Sequence, residues 1–339
     1  MKVLFIGGTG TISMAITRLL AQQGHELFLL NRGSRADELP ENVTVLKADI
    51  NDEAEINKLI DDMSFDAVGE FIGFVPSQVE RDIRLFRGRT KQYIYISSAS
   101  AYQKPLSDCV ITESTPAANP FWQYSRDKIA CEELLMKEYR ENGFPVTIVR
   151  PSHTYDERSV PLGVHGHNGS WQVLKRIIEG KKVIIHGDGT SLWTITHNSD
   201  FAKGYAGLVG NIHAIGQTYH ITSDETVTWN QIYSIIADAL GKELKACHVS
   251  SEFLAAVSDL DLEGSLIGDK ANSVIFDNRK LKRAVPGFTA EVRADQGIRQ
   301  TIAHILAHPE LQTEDPEFDR WCDKVIETLE KAKEVIING

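Results

Sequence analysis

A glycine-rich segment, Gly7-Gly8-Thr9-Gly10-Thr11-Ile12-Ser13, stands between an apolar run at residues 3–6 and a helical pattern at 14–23. Few arrangements restrict a chain more. A strand must end, turn tightly through glycines and launch a helix within a handful of residues. That geometry aims backbone N–H groups at whatever lies beyond the helix N-terminus, where the helix dipole favours an anion such as a pyrophosphate. Ser13 takes the place of the third glycine of a dinucleotide-binding fingerprint, and serine is small enough for close helix–sheet packing. The competing reading is a tight turn that holds no ligand. On the binding reading, Gly7, Thr9, Gly10, Thr11 and Ile12 are the loop residues expected against NAD or NADP.

The pattern continues in the same style. Strands are expected at 26–30, 43–46, 67–72, 92–97 and 146–149, with helices at 53–62 and 123–142. Continuous apolar strands separated by helices imply a parallel sheet covered on both faces. After Pro151 the pattern loosens into a Gly-, His- and Pro-rich loop at 156–170. A helix at 171–179, a strand at 183–186 and a helix at 230–240 are expected beyond it. A helix near 200–209 and a strand at 218–221 should return to the main sheet. The C-terminal hundred residues read as mostly helical, ending in an amphipathic helix from about 316 to 337.

The expected fold is therefore α/β: a Rossmann-type doubly wound parallel sheet with a smaller, mostly helical C-terminal substrate lobe. Residues 1–155, with 198–222 returning, form the dinucleotide-binding domain, and 156–197 with 223–339 form the lobe. A chain of 339 residues exceeds what one core serves well, which agrees with this division.

Net charge excludes some partners. At −11 the chain repels phosphate backbones and anionic membranes, so nucleic acid is a disfavoured partner. No stretch approaches the roughly 18 apolar residues of a membrane span. The apolar run at the N-terminus is too short for a secretory signal, so the expected address is cytoplasmic. Cys109, Cys131, Cys247 and Cys322 lie far apart and read as reduced thiols rather than a disulfide framework. No metal site is expected; His165 and His167 lack further ligands at metal spacing. Lys175-Arg176 and Lys181-Lys182 read as a solvated helix end, with a phosphate contact as the alternative.

The end of the second strand should face the adenosine ribose. Asn31-Arg32 stands there where an Asp or Glu would repel a 2′-phosphate, and Arg32 could pair with one. This leans toward NADP, with Arg32 facing solvent as the alternative. Asp49, followed by Ile50, is placed to accept from the adenine amino group, or else to cap a helix.

Tyr124 and Lys128 are four apart on one helix and share a face. An ammonium beside a phenol lowers the phenol pKa, so the pair can exchange a proton with a substrate hydroxyl or carbonyl. Alone, the spacing is common. Here it follows Ser97-Ser98-Ala99-Ser100-Ala101-Tyr102, a hydroxyl cluster at a strand's carboxyl end, where parallel sheets bind ligands.

The glycine loop, these serines, the Tyr-Lys pair and Arg150-Pro151 together resemble the extended short-chain dehydrogenase/reductase family of NAD-dependent epimerases and dehydratases. The resemblance spans roughly residues 1–290 and is most specific in the first 155. It implies that Tyr124 is the general acid/base, that Lys128 tunes it and binds the nicotinamide ribose, and that Ser98, with Ser100 as alternate, bonds the reacting oxygen. It implies that Pro151, Ser152 and His153 border the nicotinamide, and it permits a homodimer through the Tyr-Lys helix.

Departures from the family pattern narrow the reaction. Ala99-Ser100 replaces the Asp-Glu of dehydratases, which argues against sugar dehydration. Trp193-Thr194 replaces an arginine that often helps bind nucleotide-sugar phosphates, and Glu70-Phe71-Ile72-Gly73-Phe74 replaces the usual His-x-Ala-Ala type of segment. The expected function is hydride transfer at a secondary alcohol of a sugar or sugar derivative, as net redox or epimerisation. These departures look most like atypical members, including the chloroplast stem-loop RNA-binding group. The alternative is therefore a non-catalytic RNA-binding or cofactor-sensing protein on the same scaffold.

Overall fold

A computed structural model describes residues 1–33 and 39–338. The chain divides into two compact units: Met1–Thr154 with Thr196–Asp224 and Phe276–Glu291, and Tyr155–Ile195 with Glu225–Ile275 and Val292–Gly339.

The first unit is built on seven strands: β1 (Lys2–Ile6), β2 (Glu26–Asn31), β3 (Val43–Lys47), β4 (Ala67–Glu70), β5 (Tyr93–Ile96), β6 (Val146–Pro151) and β7 (Gln217–Ile221). Their order is β7-β6-β5-β4-β1-β2-β3 and every pairing is parallel. The strand order reverses at β1, which pairs with β2 on one side and β4 on the other. The glycine loop leaves β1 at this switch point, where such sheets open a crevice.

β4, β5 and β6 are buried along their whole length, which explains their mostly apolar sequences; Glu70, Thr147 and Arg150 are buried within them. Helices cover both faces. Ile16 and Leu20 of α1 (Ser13–Gln22) pack with Phe201, Tyr205 and Leu208 of α5 (Asn198–Leu208) against one face. Ile56 of α2 (Glu53–Leu59), Val79 and Phe86 of α3 (Pro76–Phe86), and Cys131 and Leu135 of α4 (Gln123–Asn142) cover the other. Burying an aliphatic or aromatic side chain of this kind is worth about 1.5–3 kcal/mol, so both layers are needed.

Three details depart from the sequence expectation. β4 stops at Glu70, two residues early, because the Glu70 carboxyl turns back to accept the Ile72 N–H at 2.5 Å. The helix α3 was not anticipated. Pro76 starts it where an N–H is not required, and Val79, Ile83 and Phe86 form its buried stripe. Residues 276–291, expected in the lobe, belong to the first unit. Leu281 and Phe288 join its core, and a methyl on Gly207 would stand 2.2 Å from Val285.

The second unit contains helices Trp171–Ile178, Trp229–Ala239, Ala294–Ala307 and Pro316–Asn338, and pairs the parallel strands Val183–His186 and Ala246–Val249. Its basic cluster is not a solvated helix end. Arg176, about 1% exposed, bonds Asp319 and Asp323, Lys181 reaches both carboxylates, and Lys175 and Lys182 pair with Glu314 and Glu330. Arg176, Lys181 and Lys182 thus hold the C-terminal helix, and Lys175 holds the turn before it. Among the described residues, no helix is long and apolar enough to cross a membrane.

Candidate active site

The glycine loop sets the first half of the site. Gly7 and Gly8 adopt φ of +100° and +96°, a region that favours glycine. A methyl on Gly8 would stand 2.5 Å from the Leu29 side chain, so only glycine lets the loop lie against β2. Thr17 of α1 donates to the Gly8 carbonyl at 2.9 Å, and Ser13 Oγ accepts from the Gly10 N–H at 2.8 Å. The loop thus arrives at α1 already ordered. The first turn of α1 carries no acidic side chain, which leaves its positive end able to receive an anion.

A cavity of about 570 Å³ opens above this loop. Nine of the residues anticipated from sequence line it: Gly7, Thr9, Gly10, Thr11, Ile12, Asn31, Arg32, Asp49 and Ile50. Asn31 donates to the Gly7 carbonyl at 3.4 Å and accepts from the Gly33 N–H at 2.8 Å, so it braces the turn, while Arg32 is exposed. Asp49 is not the cap of α2: that role falls to Asp52, which accepts from Glu55 N–H at 2.9 Å. Asp49 instead accepts from the backbone and side chain of Asn51.

Phe71 and Ile72, from the unusual segment after β4 that the sequence sets beside the pocket, line the cavity as well. Sequence reading missed the residues that α3 adds, Gln78 and Arg81. Arg81 is 5% exposed; it donates to Asn51 at 2.8 Å and to Asp82 through two nitrogens. The cavity's glycine-permitted floor, its uncompensated helix N-terminus and its size fit a dinucleotide.

The second half of the site lies at the ends of β5 and β6 and on α4. Lys128 is 1% exposed, and its ammonium donates to the carbonyl oxygens of Gly73 and Ile96, each at 2.7 Å. The rings of Phe74 and Tyr95 lie 4.8 Å from the same nitrogen, and that of Tyr124 at 5.8 Å. Burial pushes the Lys128 pKa down to about 8, against the opposing pull of Cys131, Glu70 and Glu132. Ile96 joins the two halves, because it lines the cavity and its carbonyl receives Lys128.

Tyr124, half-buried, packs against Trp122 and Phe74, with ring centroids 5.0 and 6.4 Å away. Ser98, also half-buried, meets Ser100 at 2.8 Å between hydroxyls, and Ser125 donates to Ser100 at 2.8 Å. Ser100 is 3% exposed and fixed by this chain, which leaves Ser98 as the more accessible hydroxyl. Ile96 pairs with Val149, so Ser98 and Pro151 each stand two residues beyond a paired position. Pro151 is buried, and Ser152 and His153 after it are half-buried.

Beneath α4, Glu132 forms a buried pair with Arg150 and accepts from Ser97 Oγ at 2.5 Å. Arg150 also lies over the Tyr102 ring at 4.6 Å. This pair fastens the helix that carries Tyr124 and Lys128 to the strand preceding Pro151.

The comparisons with known proteins agree with this architecture. The model of the NAD dependent epimerase/dehydratase family matches residues 3–222. The chain is 25% identical over 288 residues to a 2′-dehydrokanamycin reductase of Streptomyces kanamyceticus, covering 85% of this chain and 80% of that protein. It is 26% identical over 253 residues to the chloroplast stem-loop binding protein of 41 kDa b of Arabidopsis thaliana, covering 71% and 63%. Among solved structures it resembles an epimerase from Methanothermobacter thermautotrophicus, with a TM-score of 0.74, 16% identity and 92% and 94% coverage. It also resembles UDP-glucuronic acid 4-epimerase from Bacillus cereus, solved with UDP-glucuronic acid and NAD, with a TM-score of 0.70, 18% identity and 91% and 99% coverage. The chain belongs to the NAD dependent epimerase/dehydratase family, an enzyme of the extended short-chain dehydrogenase/reductase type.

Proposed function

We propose that the protein interconverts a secondary alcohol and a ketone on a sugar or sugar derivative, as reductase or epimerase, with Tyr124, Lys128 and Ser98 as its reacting set. The observation that carries this reading is the Lys128 ammonium. It is buried, tied to two carbonyls and one helical turn along from Tyr124 on the same face. A dinucleotide in the cavity over the glycine loop supplies or accepts the hydride.

The side chains do the remaining work. Tyr124 gives its phenolic proton to the substrate oxygen in reduction and recovers it in oxidation. Lys128 favours the phenolate by its charge in a low-dielectric setting and offers its third N–H to the nicotinamide ribose. Ser98 donates to the reacting oxygen and is steadied by Ser100. Gly7, Thr9, Gly10, Thr11 and Ile12 receive the pyrophosphate, Asn31 and Arg32 the adenosine ribose, and Asp49 and Ile50 the adenine. Pro151, Ser152 and His153 border the nicotinamide. Likeness to a dehydrokanamycin reductase supports a ketone on an amino sugar as the substrate, and Arg32 supports NADP over NAD. A homodimer through α4 belongs to the same proposal, using exposed positions such as Arg126 and Lys137, since Glu132 faces inward.

Replacing Tyr124 with Phe tests the reading: turnover should fall by about 10²–10⁴ while dinucleotide affinity stays within a few-fold. Unchanged turnover would remove Tyr124 from the mechanism. Stem-loop RNA binding is a second reading, favoured by the likeness to the chloroplast protein and opposed by the net charge of −11. A gel-shift titration with structured RNA at two salt concentrations separates the two, because RNA binding of this kind weakens with salt.

A further inference from the structure

A second cluster of titratable groups lies behind the site and takes no part in the chemistry above. Glu70 ends β4 and is fully buried. Its Oε1 accepts from the Ile72 N–H at 2.5 Å, but its Oε2 is sealed from solvent and receives no donor. The nearest cation, Arg81, approaches Oε2 only to 3.9 Å, beyond hydrogen-bond reach, and spends its nitrogens on Asp82 and Asn51. Facing Glu70 from α3 is a second buried carboxyl, Asp82, which accepts from the Tyr93 hydroxyl at 2.7 Å and from Arg81.

Asp82 already balances Arg81, and an ionised Glu70 would bury a carboxylate oxygen that no donor reaches, which is costly. A single proton resolves the imbalance. On Glu70 Oε2 it lets that oxygen donate to Asp82, leaving Asp82 and Arg81 as a balanced pair. Asp82 already has three donors, and Glu70 Oε2 has none, so the proton belongs on Glu70. The pKa directions agree: burial and then the Asp82 charge push Glu70 well above the carboxylate range, while Tyr93, Arg81 and Glu70 all restrain the rise of Asp82.

Position gives this proton a consequence. Gly73 sits so close over the Glu70 side chain that a methyl there would stand 3.0 Å from Glu70 Cγ. The Gly73 carbonyl is one of the two acceptors that hold Lys128, and it also receives the Tyr95 hydroxyl at 3.1 Å. Ile72, whose N–H Glu70 holds, lines the dinucleotide cavity. We propose that Glu70 is kept as a neutral carboxylic acid hydrogen-bonded to Asp82 and, through the 72–73 backbone, serves as the positioning residue for Lys128. The inference rests on Lys128 being part of the reacting set.

A neutral Glu70 also withholds a negative charge from Lys128, which would otherwise favour the ammonium more strongly. The other titratable groups around Glu70 are Asp82 and Arg81 on α3, Tyr93 and Tyr95 on β5, Tyr205 on α5 and Lys128 on α4.

The test compares two substitutions and a spectrum. Glu70→Gln keeps an acceptor for Ile72 and a donor for Asp82, so turnover should stay within about threefold and the alkaline limb of the pH–rate profile should not move. Glu70→Ala should lower kcat by about 10–100-fold with an unchanged circular dichroism spectrum. The infrared difference spectrum of the cofactor-free protein, wild type minus Glu70→Gln at pH 7.5, should contain the carbonyl stretch of a protonated carboxyl. Absence of that band, or a downward shift of the alkaline limb in Glu70→Gln, would overturn the proposal by showing an ionised Glu70. If Glu70→Ala does not fold, the Gln variant and the spectrum still decide. The spectrum is independent of catalysis, so a failure of the Tyr124 mechanism would be recognised separately by an active Tyr124→Phe.

Discussion

The Lys128 ammonium lies 2.7 Å from the carbonyl oxygen of Gly73, a residue 55 positions earlier on the segment between β4 and α3. The bond joins the helix that bears Tyr124 to the segment whose Phe71 and Ile72 line the cavity over the glycine loop. It also requires a lysine to be buried, and the energetic consequences are open to measurement.

Burial pushes the Lys128 pKa to about 8, whereas an unfolded lysine titrates near 10.5. Between those two values the unfolded chain holds a proton that the folded chain has released. Stability from this group therefore rises with pH through that window, by up to about 3 kcal/mol, and is lowest below it. Lys128→Met lacks this titration. Urea unfolding of both proteins from pH 7.5 to 10 should show the wild type gaining on the variant as pH rises. Parallel curves would mean that the lysine is not depressed. Turnover should fall over the same range, as the ammonium that supports Tyr124 is lost.

Glu132 of α4 and Arg150 form a buried ion pair, with side chains 8% and 6% exposed. Glu132→Gln would leave the guanidinium in the core without a counter-charge. Removing one partner of such a pair typically costs about 3–5 kcal/mol, so the variant should melt at least several degrees lower. Combining it with Arg150→Met should recover part of the loss. A melting temperature within a degree of wild type would show that solvent or other groups screen the pair.

The sequence made the parallel sheet legible because its signals are local. Apolar runs at Val3–Ile6 and Val146–Val149, and glycines between a strand and a helix, need no tertiary context. It also placed nine residues around one cavity, since those residues follow strand ends. What it missed was α3, and with it Arg81, Gln78 and Asp82. Pro76 followed by Val79, Ile83 and Phe86 was the available signal, but polar residues between them hid the stripe. Two charged groups of α3 are buried, as Arg81 and Asp82 find each other and Tyr93, while Glu80 and Arg84 stay exposed. The Lys175–Lys182 cluster went astray for the same reason: its partners, Asp319 and Asp323, lie nearly 140 residues or more away. Pairings at that separation leave no periodic trace.

Gly8 offers a test of the loop. Its φ of +96° and the 2.5 Å approach of a methyl to Leu29 make Gly8→Ala strained twice over. The backbone term alone is about 1–3 kcal/mol. Denaturant midpoints should fall accordingly, and titration with NAD(P)H should show affinity weakened by at least tenfold. A stable variant with wild-type affinity would mean that the loop relaxes freely.

The proposed preference for NADP can be tested at Arg32. It is exposed at the rim of the cavity beside Asn31, whose amide is held by Gly33 and Gly7 and carries no charge to repel a 2′-phosphate. A charge-assisted bond from guanidinium to phosphate is worth about 1.5–3 kcal/mol, reduced by solvent at an exposed site. Arg32→Ala should therefore weaken NADPH binding by about tenfold and leave NADH within twofold, with the NADPH loss shrinking as salt is raised. Arg32→Glu should invert the preference, because a carboxylate repels the phosphate and accepts from ribose hydroxyls. Equal effects on both dinucleotides would assign Arg32 to the adenine or to solvent, and the chain would then be an enzyme without a built-in choice of cofactor.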